Sequence, residues 1–124
     1  MHPYLSKEHE QRFKELCNRD RTHIRDIERR SLFYVIAGSN MLFNNVELLY
    51  DFKDSVIKLE VYDQPFLTGG TRCLIDLAFH LYGADVECDI CFMFNQLDHI
   101  HRILALNTIK YRFQIIKELE VRVS

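Results

Sequence analysis

This chain of 124 residues has no tryptophan, only two prolines and four glycines, and no apolar run that approaches a membrane span. A helix crossing a bilayer needs ~20 predominantly apolar residues. The opening MHPYLSKEHEQRF also lacks the apolar centre of a signal peptide. Together these absences predict a cytoplasmic protein. Strong charge of one sign is missing too: the net charge is −2 and the sequence pI about 6.3. That argues against the basic domain expected of a nucleic-acid binder. No Ser-His-Asp order, carboxylate pair or cofactor fingerprint is visible, so no cofactor is expected. There is no repeat, linker or low-complexity tract.

What is present is ordinary core material. Apolar residues make up 48% and charged residues 27%, with nine Phe and six Tyr. This predicts one globular domain over residues 1–124. The charge is unevenly laid out. Residues 1–31 hold eight Lys/Arg and six Asp/Glu, residues 32–100 three and ten, and residues 101–124 five and two. In a reducing compartment Cys17, Cys73, Cys88 and Cys91 are expected as thiols or metal ligands rather than disulfides.

Ser6 is a candidate N-cap for a helix with Phe13, Leu16 and Cys17 on its inner face. Asp20 and Thr22 read as the turn and cap of a second, in which Arg21, Arg25 and Arg29 share a face at i, i+4 and i+8. Leu32–Ala37 is apolar at every position, so this stretch needs cover on nearly all sides, and Gly38 offers a left-handed stop. Ser39 or Asn40 can cap a third helix through Tyr50, with Asn44–Asn45 as a bend. Residues 56–62 alternate as a strand. Thr68 or Thr71 starts a helix with Leu74, Leu77, Ala78 and Leu81 inward, and Gly83 ends it. Residues 85–94 alternate strictly and fit either a strand paired with 56–62 or a helix. Asp98 caps a final helix to about Leu119, whose apolar residues on several faces predict a central position.

Four groups of residues have chemical potential. Cys88 and Cys91 form one CxxC knuckle, half of a zinc site, with His99 as a third candidate ligand. His99 and His101 lie roughly 200° apart on a helix and cannot both reach one ion, so Cys17, Cys73 or His80 would have to complete the site. Cys73 at a helix start suggests a lowered thiol pKa, but it also belongs to the inward stripe. His23 with Asp20, Asp26 and Glu28 offers acid–base or metal groups. Expected ion pairs are Asp26–Arg30 and Glu28–Arg25. Finally, the arginine stripe is the strongest electrostatic feature, able to meet an acidic protein surface or phosphates.

The pieces His9-Glu10-x-Arg12-Phe13, Asp20-x-Thr22-His23-x-x-Asp26-x-Glu28-Arg29-x-Ser31-Leu32-Phe33-Tyr34, Tyr50-Asp51-Phe52-Lys53, Ile57-Lys58-Leu59, Leu77-Ala78-Phe79-x-Leu81-Tyr82 and Ala105-Leu106-Asn107-x-Ile109-Lys110-x-Arg112-Phe113 run in order along the chain. In these it resembles a family of small uncharacterised proteins, a domain of unknown function from Bacillota and their phages and prophages. The resemblance implies a mostly helical protein of mobile elements, with no activity to transfer. The Cys88/Cys91 and His99/His101 pairs stand apart from the family's pattern.

The expectation is therefore a mainly α, compact single domain of five to six helices, with 56–62 and 85–94 able to form one short β-hairpin. The expected function is a non-enzymatic protein-interaction module. It would be a phage or prophage accessory protein that binds a host protein, a defence component being one candidate. Arg21, His23, Arg25, Asp26, Glu28 and Arg29 form the expected docking face. The alternatives are a small metal-dependent enzyme using His23 with Asp20 and Asp26, and a weak nucleic-acid binder through Arg21, Arg25 and Arg29. Self-association is left open.

Overall fold

Seven α-helices, one two-stranded hairpin and one 3-10 turn make up the fold, in a computed structural model that describes residues 4–115. Helix α1 spans Lys7–Asp20 and α2 spans Ile27–Ala37. The short α3 (Asn40–Asn44) and α4 (Val46–Leu49) lead to β1 (Tyr50–Asp51) and β2 (Val56–Ile57), and a 3-10 turn follows at Leu59–Asp63. Helices α5 (Gly69–Tyr82), α6 (Ile90–Gln96) and α7 (His99–Arg112) complete the described chain.

The helix starts are set by local chemistry. Ser6, Ser39, Thr68 and Asp98 each accept a hydrogen bond from the amide three residues on, as expected of caps. Asp26 does the same for Arg29, and so α2 begins at Ile27 rather than near Thr22. Gly83, with φ 103°, closes α5 in the left-handed region. Asn45 divides the expected third helix into α3 and α4.

The organising element is α2. Ser31 through Ala37 are all buried, and α1, α5 and α7 pack around them. A helix with no polar face in this half is stable only when covered all round. Towards α1 and α7 the contact is aromatic: the Tyr34 ring lies 4.6 Å from His9, 5.5 Å from Tyr111 and 6.1 Å, edge-on, from Phe13. Phe33 meets Tyr50 edge-on and stacks with Phe52.

Several expectations are corrected. The hairpin is not 56–62 with 85–94. Instead Tyr50 pairs with Ile57 and Asp51 with Val56, antiparallel, across a tight turn in which Asp51 accepts from the Lys53 and Asp54 amides. Residues 90–96 are helical because Asp89 caps them through the Phe92 amide. Helix α7 is peripheral, burying only Leu104, Ala105, Thr108 and Tyr111, while Ile100, Ile103 and Leu106 stay exposed. It ends at Arg112, and residues 116–119 of its expected extent lie outside the described residues. Gly38 is not a left-handed stop, since its φ of −85° and ψ of −4° suit any residue. Glycine is needed there because a Cβ would collide with both methyls of Leu104, itself fully buried.

Two predictions follow from the packing. Gly38→Ala should cost about 1–3 kcal/mol by overpacking against Leu104, read by urea unfolding; a neutral result would refute that contact. The second concerns His9, which is buried, donates from Nε2 to the Tyr34 carbonyl (2.9 Å) and accepts the Leu5 amide at Nδ1 (3.0 Å). Burial lowers its pKa, outweighing the Tyr34 carbonyl that raises it. The unfolded chain therefore takes up this proton first as the pH falls. Stability should be full above about pH 6.5 and decline below it, by at most about 1.4 kcal/mol per pH unit for one proton. His9→Gln should flatten that slope between pH 6.5 and 5.5 in denaturation series.

Candidate functional site

The segment between α1 and α2 is built around one carboxylate. Arg21 caps α1 in the left-handed region (φ 57°), and the Thr22 amide closes on the Cys17 carbonyl at 2.9 Å. This turns the last residue of α1 inward, so that the Asp20 side chain is 2% exposed. Its Oδ1 accepts from the Tyr50 hydroxyl (2.8 Å) and the Ser55 hydroxyl (2.9 Å), and its Oδ2 from Thr22 (2.7 Å). Burial, then the hydrogen bond to Asp20, pushes the Tyr50 phenol above its usual range.

Arg29, in the first turn of α2, enters the same cluster. Its Nη1 donates to Asp26 Oδ2 at 2.6 Å, and its Nη2 donates to the Ser55 carbonyl (3.2 Å) and the Tyr82 hydroxyl (3.1 Å). Its Nε lies 3.9 Å from Asp20 Oδ2. Ser55 adopts φ 55°, which aims its hydroxyl and its carbonyl at Asp20 and Arg29 respectively. The end of α1, the start of α2, the hairpin turn and the end of α5 are thus joined in one polar clasp. Charge-assisted bonds of this kind are about twice as strong as neutral ones.

The clasp divides the expected docking face in two. Asp26 and Arg29 belong to its interior, and Glu28 reaches Arg112 at 3.5 Å. The expected Asp26–Arg30 and Glu28–Arg25 pairs are replaced: Arg30 donates to the Tyr111 hydroxyl and sits 5.1 Å over the Phe13 ring. Arg21, His23, Ile24 and Arg25 point outward, all exposed. No helical stripe joins Arg21, Arg25 and Arg29, because residues 21–26 are a loop. His23 accepts the Arg25 amide at Nδ1, and its carbonyl accepts the Asp26 amide. It does not converge with Asp20, which is turned into the core. Ile24, on the same loop, is 72% exposed.

The expected metal ligands are not gathered. Cys88 is half-buried beside Cys73, Asp76 and Asp89 around a crevice of about 30 Å³, whereas Cys91 and His99 are exposed on α6 and α7. Among the described residues no three His, Cys, Asp or Glu side chains are placed to hold an ion. All four cysteines are free, and burial, followed by Asp76, pushes the Cys88 thiol up to about 11. Cys73 lies in the core stripe with Leu77 and Leu81, as expected, and burial raises its pKa.

A separate open cleft of about 590 Å³ lies where the first turns of α3, α5 and α7 meet. Met41, Thr71, Leu74, Leu97, Ile100 and His101 are among its lining residues. His101 is paired with Asp98 at 2.8 Å. Among the described residues no helix is long and apolar enough to cross a membrane.

The fold and its clasped loop define a small helical domain with an anchored surface loop. The chain belongs to a family of unknown function (DUF6075), whose model matches residues 1–118. It matches no curated protein and no solved structure.

Asp20→Asn should cost about 2–3 kcal/mol, since the amide retains one acceptor oxygen but turns a donor towards Arg29 and removes the charge. Tyr50→Phe should cost less, about 1 kcal/mol for one hydrogen bond. Urea unfolding of both variants checks this, and an equal or reversed order would remove Asp20 from the centre of the clasp.

Proposed function

We propose that this chain is a non-enzymatic protein-interaction module that docks through the loop Arg21–Arg25. The observation that carries this reading is Ile24, a large apolar side chain 72% exposed on a loop whose two ends are anchored in the part-buried clasp. A free chain end or slack loop would lose its mobility on binding. A loop already fixed by Asp20, Thr22, Asp26 and Arg29 has little left to lose. Ile24 is the most exposed large apolar side chain among the described residues, and the cations around it select what would cover it.

Arg21 and Arg25 flank Ile24 in sequence, with His23 beside it. The matching surface is therefore an apolar pocket rimmed by carboxylates. The small size and the resemblance to phage and prophage proteins support a host protein as the partner, met in the cytoplasm. A host defence component fits that setting.

Affinity capture from host lysate tests the reading. Species held by the native chain should be lost on Ile24→Asp and on combined Arg21→Glu/Arg25→Glu, yet retained by Lys14→Glu on the exposed side of α1. Reconstituted with the purified partner, Ile24→Asp should weaken binding about 30-fold, corresponding to about 2 kcal/mol for a central anchor. Retention of every captured species by Ile24→Asp would reject the loop as the docking surface.

A further inference from the structure

We infer that the outward side of α7 is a second docking surface, separate from the Arg21–Arg25 loop, and that it takes an acidic amphipathic helix. Helix α7, HIHRILALNTIKYR, contains three Arg/Lys and two His and no Asp or Glu. Its inner face holds Leu104, Ala105, Thr108 and Tyr111. At ~100° per residue, Ile103, Leu106 and Lys110 fall on the opposite side, with Ile100 at one edge. These apolar side chains are not covered: Ile100 is 54% exposed, Ile103 36% and Leu106 46%. Phe113, which caps the helix, is exposed at the far end. The stripe is one helix wide and about 20 Å long from Ile100 to Phe113, at ~1.5 Å per residue.

The charge on this face selects the occupant. Arg102 flanks the stripe, held in place by donating from Nε to the Phe94 carbonyl at 2.7 Å, and Lys110 interrupts the stripe near its other end. Arg112 donates to the Leu81 carbonyl and pairs with Glu28, its guanidinium lying 5.0 Å from the centre of the Phe113 ring at the end of the stripe. A second copy would bring the same cations onto this face, with no acid on its own α7 to meet them. An extended polyanion, whether nucleic acid or an anionic membrane, calls for a broad basic face, and beside this stripe α7 supplies only Arg102 and Lys110. A single amphipathic helix confines its charge to the contact. It can lay a Leu-type stripe on Ile103 and Leu106 and set carboxylates beside Arg102 and Lys110.

Two fluorescein-labelled helical peptides with one shared leucine face, flanked in one by Glu and in the other by Lys, provide the test by anisotropy with the full chain. The Glu peptide should bind at least tenfold tighter than the Lys peptide. Leu106→Ser should weaken it at least tenfold, and Lys110→Glu should abolish the preference. Circular dichroism and Tm should change little, because Leu106 is exposed and Lys110 is half-buried outside the core. Equal binding of the two peptides, or binding of neither, overturns the proposal. So does a dimer in sedimentation that Leu106→Ser dissociates, or co-sedimentation with phosphatidylserine vesicles that the same substitution removes. Ile24→Asp should leave peptide binding intact, so the two surfaces stand or fall separately.

Discussion

Everything in this fold answers to the second half of α2, which has no side that water could face. Seven consecutive residues, Ser31 to Ala37, are buried, and a helix in that position must be walled by other helices on every side. Helices α1, α5 and α7 form that wall. Its tightness shows at Gly38, where Leu104 of α7 comes so close that no side chain fits. The first half of α2 has the opposite problem. Arg29 and Arg30 stand where the helix enters the core, and a guanidinium there must find partners or water. Arg30 finds the Tyr111 hydroxyl and the face of Phe13; Arg29 finds the clasp.

The clasp is thus a consequence of the buried helix as well as an anchor for the loop. A carboxylate as covered as Asp20 is tolerable only with its lone pairs occupied, and three hydroxyls and a nearby cation do so. The partners come from four places along the chain, so the loop between Asp20 and Asp26 is fixed by tertiary structure as well as by its own bonds at Thr22 and Asp26. That is why a loop carrying an exposed isoleucine can be rigid.

What the sequence made legible was local. Ser6, Thr68, Asp98 and Gly83 announce helix ends because capping acts over three or four residues. Leu32–Ala37 is recognisable as core because it has no polar alternative. The arginine stripe failed for the same reason in reverse: helical spacing was extended across residues 21–26, where left-handed Arg21 and the cap at Asp26 interrupt it. Residues 85–94 satisfied two periodicities, and only the Asp89 cap separates them. The clasp was invisible because Asp20 finds Tyr50 and Ser55 thirty and thirty-five residues away. No spacing rule reaches so far. Yet Asp20, Thr22, Asp26, Arg29, Tyr50 and Tyr82 all stand within the pieces that carry the family resemblance, which reflects architecture more than chemistry. On α7, the apolar positions could be read but not which of them would be covered.

Because the anchors of the loop and its outward side chains are different residues, the two can change independently. Arg21, His23, Ile24 and Arg25 contribute nothing to the clasp through their side chains beyond the local turn at His23. New side chains at the tip would therefore inherit the same rigid frame. The frame does not prescribe the side chains of the tip, so the tip can change in sequence without the scaffold refolding.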